Sequence, residues 1–235
     1  MEPMTDPGTT VAATARYRAG VLAVTPVLLL VAAAWHPYLP GRLPNGTAVA
    51  EAVLPDPTRW GLAHLAAGVA FGFAVLAFVA IRNQLREAGE QRWSGVGLPL
   101  VVLGSALYIM LPGMELAPLA AAGSGADVAA VLAALEPWLV PVLITGAGMF
   151  ALGIVGFAVG ITRSGLLGPG TAALVTAALV VMAVSRLVPL AAFQLYVQGV
   201  AALVALWPLA YRTWRPPLAG SAQSVRTGTV TRSAG

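Results

Sequence analysis

The chain has 235 residues, of which 58% are hydrophobic and only 9% are charged, and its mean hydropathy is +0.83. A soluble domain of this length needs a charged exterior and cannot hide so much apolar surface, so the composition predicts a membrane protein. The net charge of +4 is the difference between thirteen arginines and nine acidic residues, and there is no lysine. The arginines are dispersed among loops, which argues against a nucleic-acid-binding face. The lack of cysteine excludes disulfides, thiolate metal sites and cysteine nucleophiles.

Six apolar segments follow one another along the chain, and each is long enough for a transmembrane helix. They cover about residues 17–35, 60–81, 96–112, 138–161, 166–185 and 189–211. The last two come from one long apolar block, in which Arg186 and Pro189 mark the turn. We therefore predict an all-α, polytopic bundle of six transmembrane helices at residues 17–214. Residues 1–16 and 215–235 have too little apolar surface to fold and are predicted to be disordered.

The distribution of arginine predicts the orientation of the bundle. Ten arginines fall in connections on one side of the predicted spans and three, Arg42, Arg59 and Arg186, fall on the other. Loops rich in arginine stay on the cytoplasmic side, so both termini are predicted to be cytoplasmic in a multi-pass protein of the inner membrane. The alternative for the first segment is a signal peptide that is cleaved after its alanine-rich end.

The first two outward connections are long enough to hold a short amphipathic helix each. Thr47 can cap a helix over 48–54, and Asp127 can cap one over 128–135, because each offers a side-chain oxygen to free backbone N–H groups. Both segments are apolar enough to lie on the membrane surface or to fold over the bundle.

A candidate polar cluster lies in the predicted outer half of the bilayer. Ionisable and amide side chains are costly there, so each suggests either a packing role or a ligand site. A Glu115–Arg186 ion pair is the expected arrangement, and in a ligand site Arg186 would receive an anionic group. The cluster consists of His64, Tyr108, Glu115, Arg186, Gln194 and Gln198.

The sequence predicts no metal site and no cofactor. His36, His64 and Glu115 are a conceivable set of three metal ligands, but histidines from different spans carry no local ligand spacing. We expect His36 to be an interfacial residue at the end of the first span and Trp60 to be an interfacial aromatic at the start of the second. No nucleophile motif is present, so catalytic residues stay unknown and an enzyme is not expected.

Several short motifs carry a resemblance: Arg18-Ala19-Gly20 before the first span, His36-Pro37 at its end, and Trp60 with His64 opening the second. On these the chain resembles the small six-span integral membrane proteins of unknown function that are common in actinobacteria. That resemblance implies a bacterial membrane protein and an architecture over about residues 17–214, but no established activity or catalytic residue.

The function expected from the sequence is a structural, accessory or small-ligand-binding component of the cell membrane. The alternatives are a small transporter or channel subunit and, third, an intramembrane enzyme. The expected partners are the lipid bilayer and either a second copy or another membrane protein, and no nucleic acid. Glycine-rich helix faces would make such contacts. Gly146, Gly153, Gly156 and Gly160 give the fourth span a face of small residues against which a neighbouring helix can pack.

Overall fold

The computed structural model describes residues 7–215, and every regular element in this range is helical, as predicted. The elements are α1 (Pro7–Trp35), α2 (Gly46–Val53), α3 (Pro57–Glu87), α4 (Arg92–Met114), α5 (Leu116–Ser124), α6 (Val128–Ser164), α7 (Pro169–Ser185), a π-helical turn (Phe193–Val197) and α8 (Gln198–Trp214). Five stretches are long and apolar enough to cross a membrane: Ala12–Trp35, Pro57–Glu87, Arg92–Ser124, Val128–Ser164 and Phe193–Trp214. The 17 residues of α7 form a shorter apolar helix.

Helix boundaries differ from the predicted ones mainly at the N-terminal ends. Helix α1 begins at Pro7, inside the segment predicted to be disordered, because alanines and threonines before Arg16 extend the helix. The rest of the two predicted disordered segments, residues 1–6 and 216–235, lies outside the described residues.

The two loop segments that were predicted to form short helices, 48–54 and 128–135, have different structures. Helix α2 is capped by Asn45, whose side-chain oxygen accepts from the Ala48 N–H at 3.1 Å, and not by Thr47 as predicted. Asp127 does cap residues 129 and 130, but no separate short helix follows, because the alanine-rich segment continues directly into α6. Pro137 and Pro141 are accommodated inside this 37-residue helix.

Successive long helices alternate in direction, so the bundle has two ends. We call one the histidine end, where α1, α4 and α7 finish and α3, α6 and the π-helical turn begin. The opposite one is the arginine end, where α3, α6 and α8 finish. At the histidine end, the loop after α1 is tied to the loop after α7 by a hydrogen bond from the Leu43 N–H to the Pro189 carbonyl at 2.9 Å.

The closest packing in the bundle joins α4 to α6 through glycines. A methyl group added at Gly104 would lie 2.5 Å from the Phe150 nitrogen, and one added at Gly153 would lie 2.6 Å from a Val101 methyl carbon. Gly97 on α4 and Gly156 on α6 approach each other in the same way. At Gly146, Gly153 and Gly156 the glycine face of α6 is therefore occupied by α4 of the same chain.

We predict that Gly153→Ala lowers the thermal stability of the protein, because the added methyl group would force apart two backbones that are already in contact. Overpacking of this kind costs about 1–3 kcal/mol. The matched control is Gly148→Ala on the same helix, where the space beside the glycine is open. Thermal unfolding in detergent should separate the two variants, and equal melting temperatures would contradict the packing described.

Candidate functional site

The histidine end contains two layers of buried polar side chains. The outer layer consists of His36, Trp60, His64 and Glu115, and the inner layer is built around Arg186. The two layers share helix faces: His64 and Phe71 are seven residues apart on α3, and so are Tyr108 and Glu115 along α4. Seven residues of α-helix rise about 10 Å, so Arg186 lies roughly that far beneath the outer layer.

His36 is held where α1 ends. Its backbone N–H continues the helix by donating to the Ala32 carbonyl at 3.0 Å, and Arg59 Nε donates to the Trp35 carbonyl beside it at 3.0 Å. The ring Nδ1 donates to the Pro37 carbonyl at 2.7 Å, which leaves Nε2 with a free lone pair. Burial of the ring lowers the pKa of His36 below 6.5, and the neighbouring His64 lowers it further, so the ring is neutral near pH 7.

His64 is 2% exposed and points into the bundle, as predicted, although Gly68 and Gly72 make no close helix contact there. Its Nδ1 donates to the Trp60 carbonyl one turn earlier at 2.7 Å. Its Nε2 donates a hydrogen bond to Oε2 of the Glu115 carboxylate. Both histidines therefore use Nδ1 on a backbone carbonyl.

Glu115 stands at the junction of α4 and α5, where Pro118 has no N–H to continue the helix ladder. Its backbone carbonyl accepts from Trp60 Nε1 at 2.8 Å, which ties the start of α3 to this junction. Its side chain is 30% exposed and so connects the outer layer to the surface. The ion pair is with His64, so the predicted Glu115–Arg186 pair is wrong.

The outer layer brings together three side chains that could bind a metal ion. One possible ligand atom from each of His36, His64 and Glu115 lies within 4.8 Å of the other two. The two imidazole centres are 5.0 Å apart, close to the separation of about 5 Å that tetrahedral ligation with metal–nitrogen distances of about 2.0–2.1 Å requires. Bis-histidine haem ligation needs rings on opposite sides of the iron, about 6 Å apart, and does not fit.

The hydrogen bonds that orient the two histidines are of a kind that metal-binding histidines also make. A histidine that binds a metal through one nitrogen usually donates the other N–H to a backbone carbonyl or carboxylate, which fixes the tautomer and the ring orientation. His36 and His64 both do this through Nδ1. The Trp60 ring packs 4.4 Å from the His64 ring and 5.7 Å from the His36 ring, which limits how far either ring can rotate.

The inner layer surrounds Arg186, which is 1% exposed and follows the last residue of α7. Its guanidinium carbon lies 3.6 Å from the centre of the Phe150 ring, 4.4 Å from that of Tyr108 and 5.5 Å from that of Phe71. These rings come from α6, α4 and α3, so a single cation joins three helices through cation–π contacts.

The two predicted glutamines complete the inner layer. The Gln194 side chain donates to the Val188 carbonyl at 3.0 Å and closes the turn after α7. In the amide orientation that satisfies both of its ends, Gln198 accepts from Arg186 Nη2 at 3.3 Å and donates to the Gln194 carbonyl at 3.0 Å. Arg186 Nη1 and the Tyr108 hydroxyl have no hydrogen-bond partner among residues 7–215.

The six predicted residues therefore fall into two groups rather than one. His64 and Glu115 belong to the outer layer, whereas Tyr108, Arg186, Gln194 and Gln198 belong to the inner one. Sequence reasoning missed the roles of His36 and Trp60, which it assigned to the membrane interface. The predicted topology could have indicated these contacts. It places three positions at one end of the bundle: the end of the first span, the start of the second, and Glu115 after the third.

Comparison with protein-family models, with curated proteins and with solved structures finds no match for this chain.

We predict that Arg186→Lys lowers the free energy of unfolding by about 1–3 kcal/mol, because an ammonium group cannot stack on the Phe150 ring as a planar guanidinium does. The control is Arg42→Lys, an exposed loop position at the same end of the bundle. Denaturation in detergent measures both. If the Arg186 variant is as stable as the wild type, the cation does not hold the inner layer together.

Proposed function

We propose that this chain is a six-span protein of the cytoplasmic membrane that binds a divalent transition-metal ion through His36, His64 and Glu115. The observation that carries the proposal is the arrangement of the two histidines, which both donate Nδ1–H to backbone carbonyls, together with a possible ligand atom of His36 within 4.8 Å of those of His64 and Glu115. The proposal gives the small-ligand-binding expectation a specific ligand and departs from the sequence-based expectation of no metal.

The six-span architecture is supported by the lengths and directions of the helices. Helix α7 has 17 residues, which is at the lower limit for crossing the hydrocarbon core. Counting it as a span gives alternating directions and brings both ends of the described chain to the arginine end. The arginine bias then favours a cytoplasmic location for the arginine end and an outward-facing metal site.

The ligand set favours a first-row transition metal over calcium or magnesium. Calcium and magnesium prefer six or more oxygen ligands, whereas two imidazoles and one carboxylate suit zinc or iron(II). Tetrahedral donor atoms lie about 3.3 Å apart, so the set must close by up to about 1.5 Å around an ion. His64 Nε2 and the Glu115 carboxylate are already within hydrogen-bond distance, so the distances that must close are those to His36, and the proton that His64 Nε2 donates to Glu115 must be released as the ion binds. Three protein ligands leave a further position for water or an anion.

Cation transport through the bundle is opposed by Arg186. A divalent ion moving inward from the metal site would approach a fixed positive charge, and at about 10 Å and an effective dielectric constant of 20 the repulsion is about 3 kcal/mol. The positive charge of Arg186 also favours an anion at the coordination position that the three protein ligands leave open. Binding at the histidine end, rather than conduction, is therefore the function that the charges support.

The test is a zinc titration of purified, metal-free protein without a histidine tag, against a chromophoric zinc chelator. The wild type should bind one zinc ion per chain, and His36→Ala should abolish this binding. Glu115→Gln should weaken it at least about tenfold, because the amide is a poor metal ligand but keeps the shape of the side chain.

The matched control for Glu115→Gln is Glu51→Gln, an exposed carboxylate on α2 at the same end of the bundle. Melting temperatures measured without metal show whether each variant is folded. A wild type that binds no zinc, iron(II) or manganese would refute the metal site. So would folded His36 and Glu115 variants that bind zinc as tightly as the wild type, and the outer layer would then serve packing alone.

A further inference from the structure

A large cavity opens at the arginine end, far from the metal-binding residues. Its volume is about 1390 Å³, and it lies between the start of α1, the end of α3, the turn between α6 and α7, and the end of α8. Four arginines line it against a single carboxylate. The charged residues are Arg16, Arg18, Glu87, Arg212 and Arg215.

The arginines of this cavity retain unused hydrogen-bond donors. Arg18 pairs with Glu87 at 2.5 Å, Arg212 donates to the Leu166 carbonyl, and Arg215 donates to the Tyr211 hydroxyl. Each of these bonds uses one nitrogen of a guanidinium group that carries five N–H donors. Arg16 is exposed and has no partner within residues 7–215. The excess of positive charge and of free donors fits a phosphate group.

The remaining wall of the cavity is largely apolar. It includes Leu167 and Pro208, and the Trp214 ring stands at its edge. A cluster of guanidinium groups beside apolar side chains suits an amphiphile with a phosphate head and an acyl tail better than a free anion. The cavity lies at the ends of the membrane-crossing helices, which is the level of the lipid headgroups in a bundle that spans the bilayer.

We propose that this cavity binds the headgroup of an anionic phospholipid, with the phosphate held by Arg16 and Arg215 and the first acyl carbons against Leu167 and Pro208. The site is independent of the metal centre at the other end of the bundle. Removing both arginines should weaken the binding about twenty-five-fold, since each basic residue near an anionic lipid contributes about fivefold.

The experiment measures retained lipid by native mass spectrometry, and melting temperature in micelles that contain phosphatidylglycerol, phosphatidylcholine or inorganic phosphate. The wild type should retain phosphatidylglycerol and be stabilised by it alone. The double variant Arg16→Gln/Arg215→Gln should lose both effects. The matched control is Arg86→Gln/Arg92→Gln, which removes two exposed charges from the same end but outside the cavity.

Three outcomes would overturn the proposal. Equal loss of lipid in both double variants would mean that the overall charge of this end attracts lipid, without a specific site. Equal stabilisation by phosphatidylcholine would remove the role of the anionic headgroup. Equal stabilisation by inorganic phosphate would assign the cavity to a soluble phosphate compound instead of a lipid.

Discussion

A charge inside an apolar helix bundle is stable only where other groups of the chain replace the water that it has lost. This constraint determines which side chains surround the charged groups at the histidine end. Around Arg186 the lost water is replaced by three aromatic ring faces and by the Gln198 amide. These groups are contributed by α3, α4, α6 and α8. Because each neighbour comes from a different helix, the buried guanidinium fixes how those helices pack around the end of α7.

The outer layer satisfies the same constraint in a different way. His64 and Glu115 neutralise each other, and both ring nitrogens of His64 have acceptors. His36 has only its Nδ1 satisfied in this way, and one of its ring nitrogens lies within 4.8 Å of possible ligand atoms of the pair. A set of ligand atoms that is oriented by backbone carbonyls and partly open to the surface differs from a closed packing cluster. This difference is the physical basis for assigning the outer layer to metal binding and the inner layer to structure.

The sequence predicted much of the fold but only part of the site. Apolar runs separated by arginine-rich connections predicted an all-helical membrane protein, because hydrophobic length is a strong local signal. Local signals also found His64, Glu115 and Arg186 as costly polar groups. They could not decide which of them meet, since the His64–Glu115 pair joins residues 51 positions apart. Trp60 was misassigned for the same reason, because its burial depends on the carbonyl of Glu115 across the bundle.

The glycine face of α6 shows a similar limit. Its small residues were correctly read as a packing surface, but sequence alone could not tell a contact within the chain from one with a partner, and the contact is with α4.

The central claim is that His36, His64 and Glu115 bind a metal ion together. X-ray absorption at the zinc edge of the zinc-loaded protein tests it most directly, because the first shell reports ligand type and distance. The account predicts two imidazole nitrogens and one or two oxygens at about 2.0–2.1 Å, with one imidazole lost in His36→Ala. A shell of oxygen alone, or a spectrum unchanged by that substitution, would contradict it.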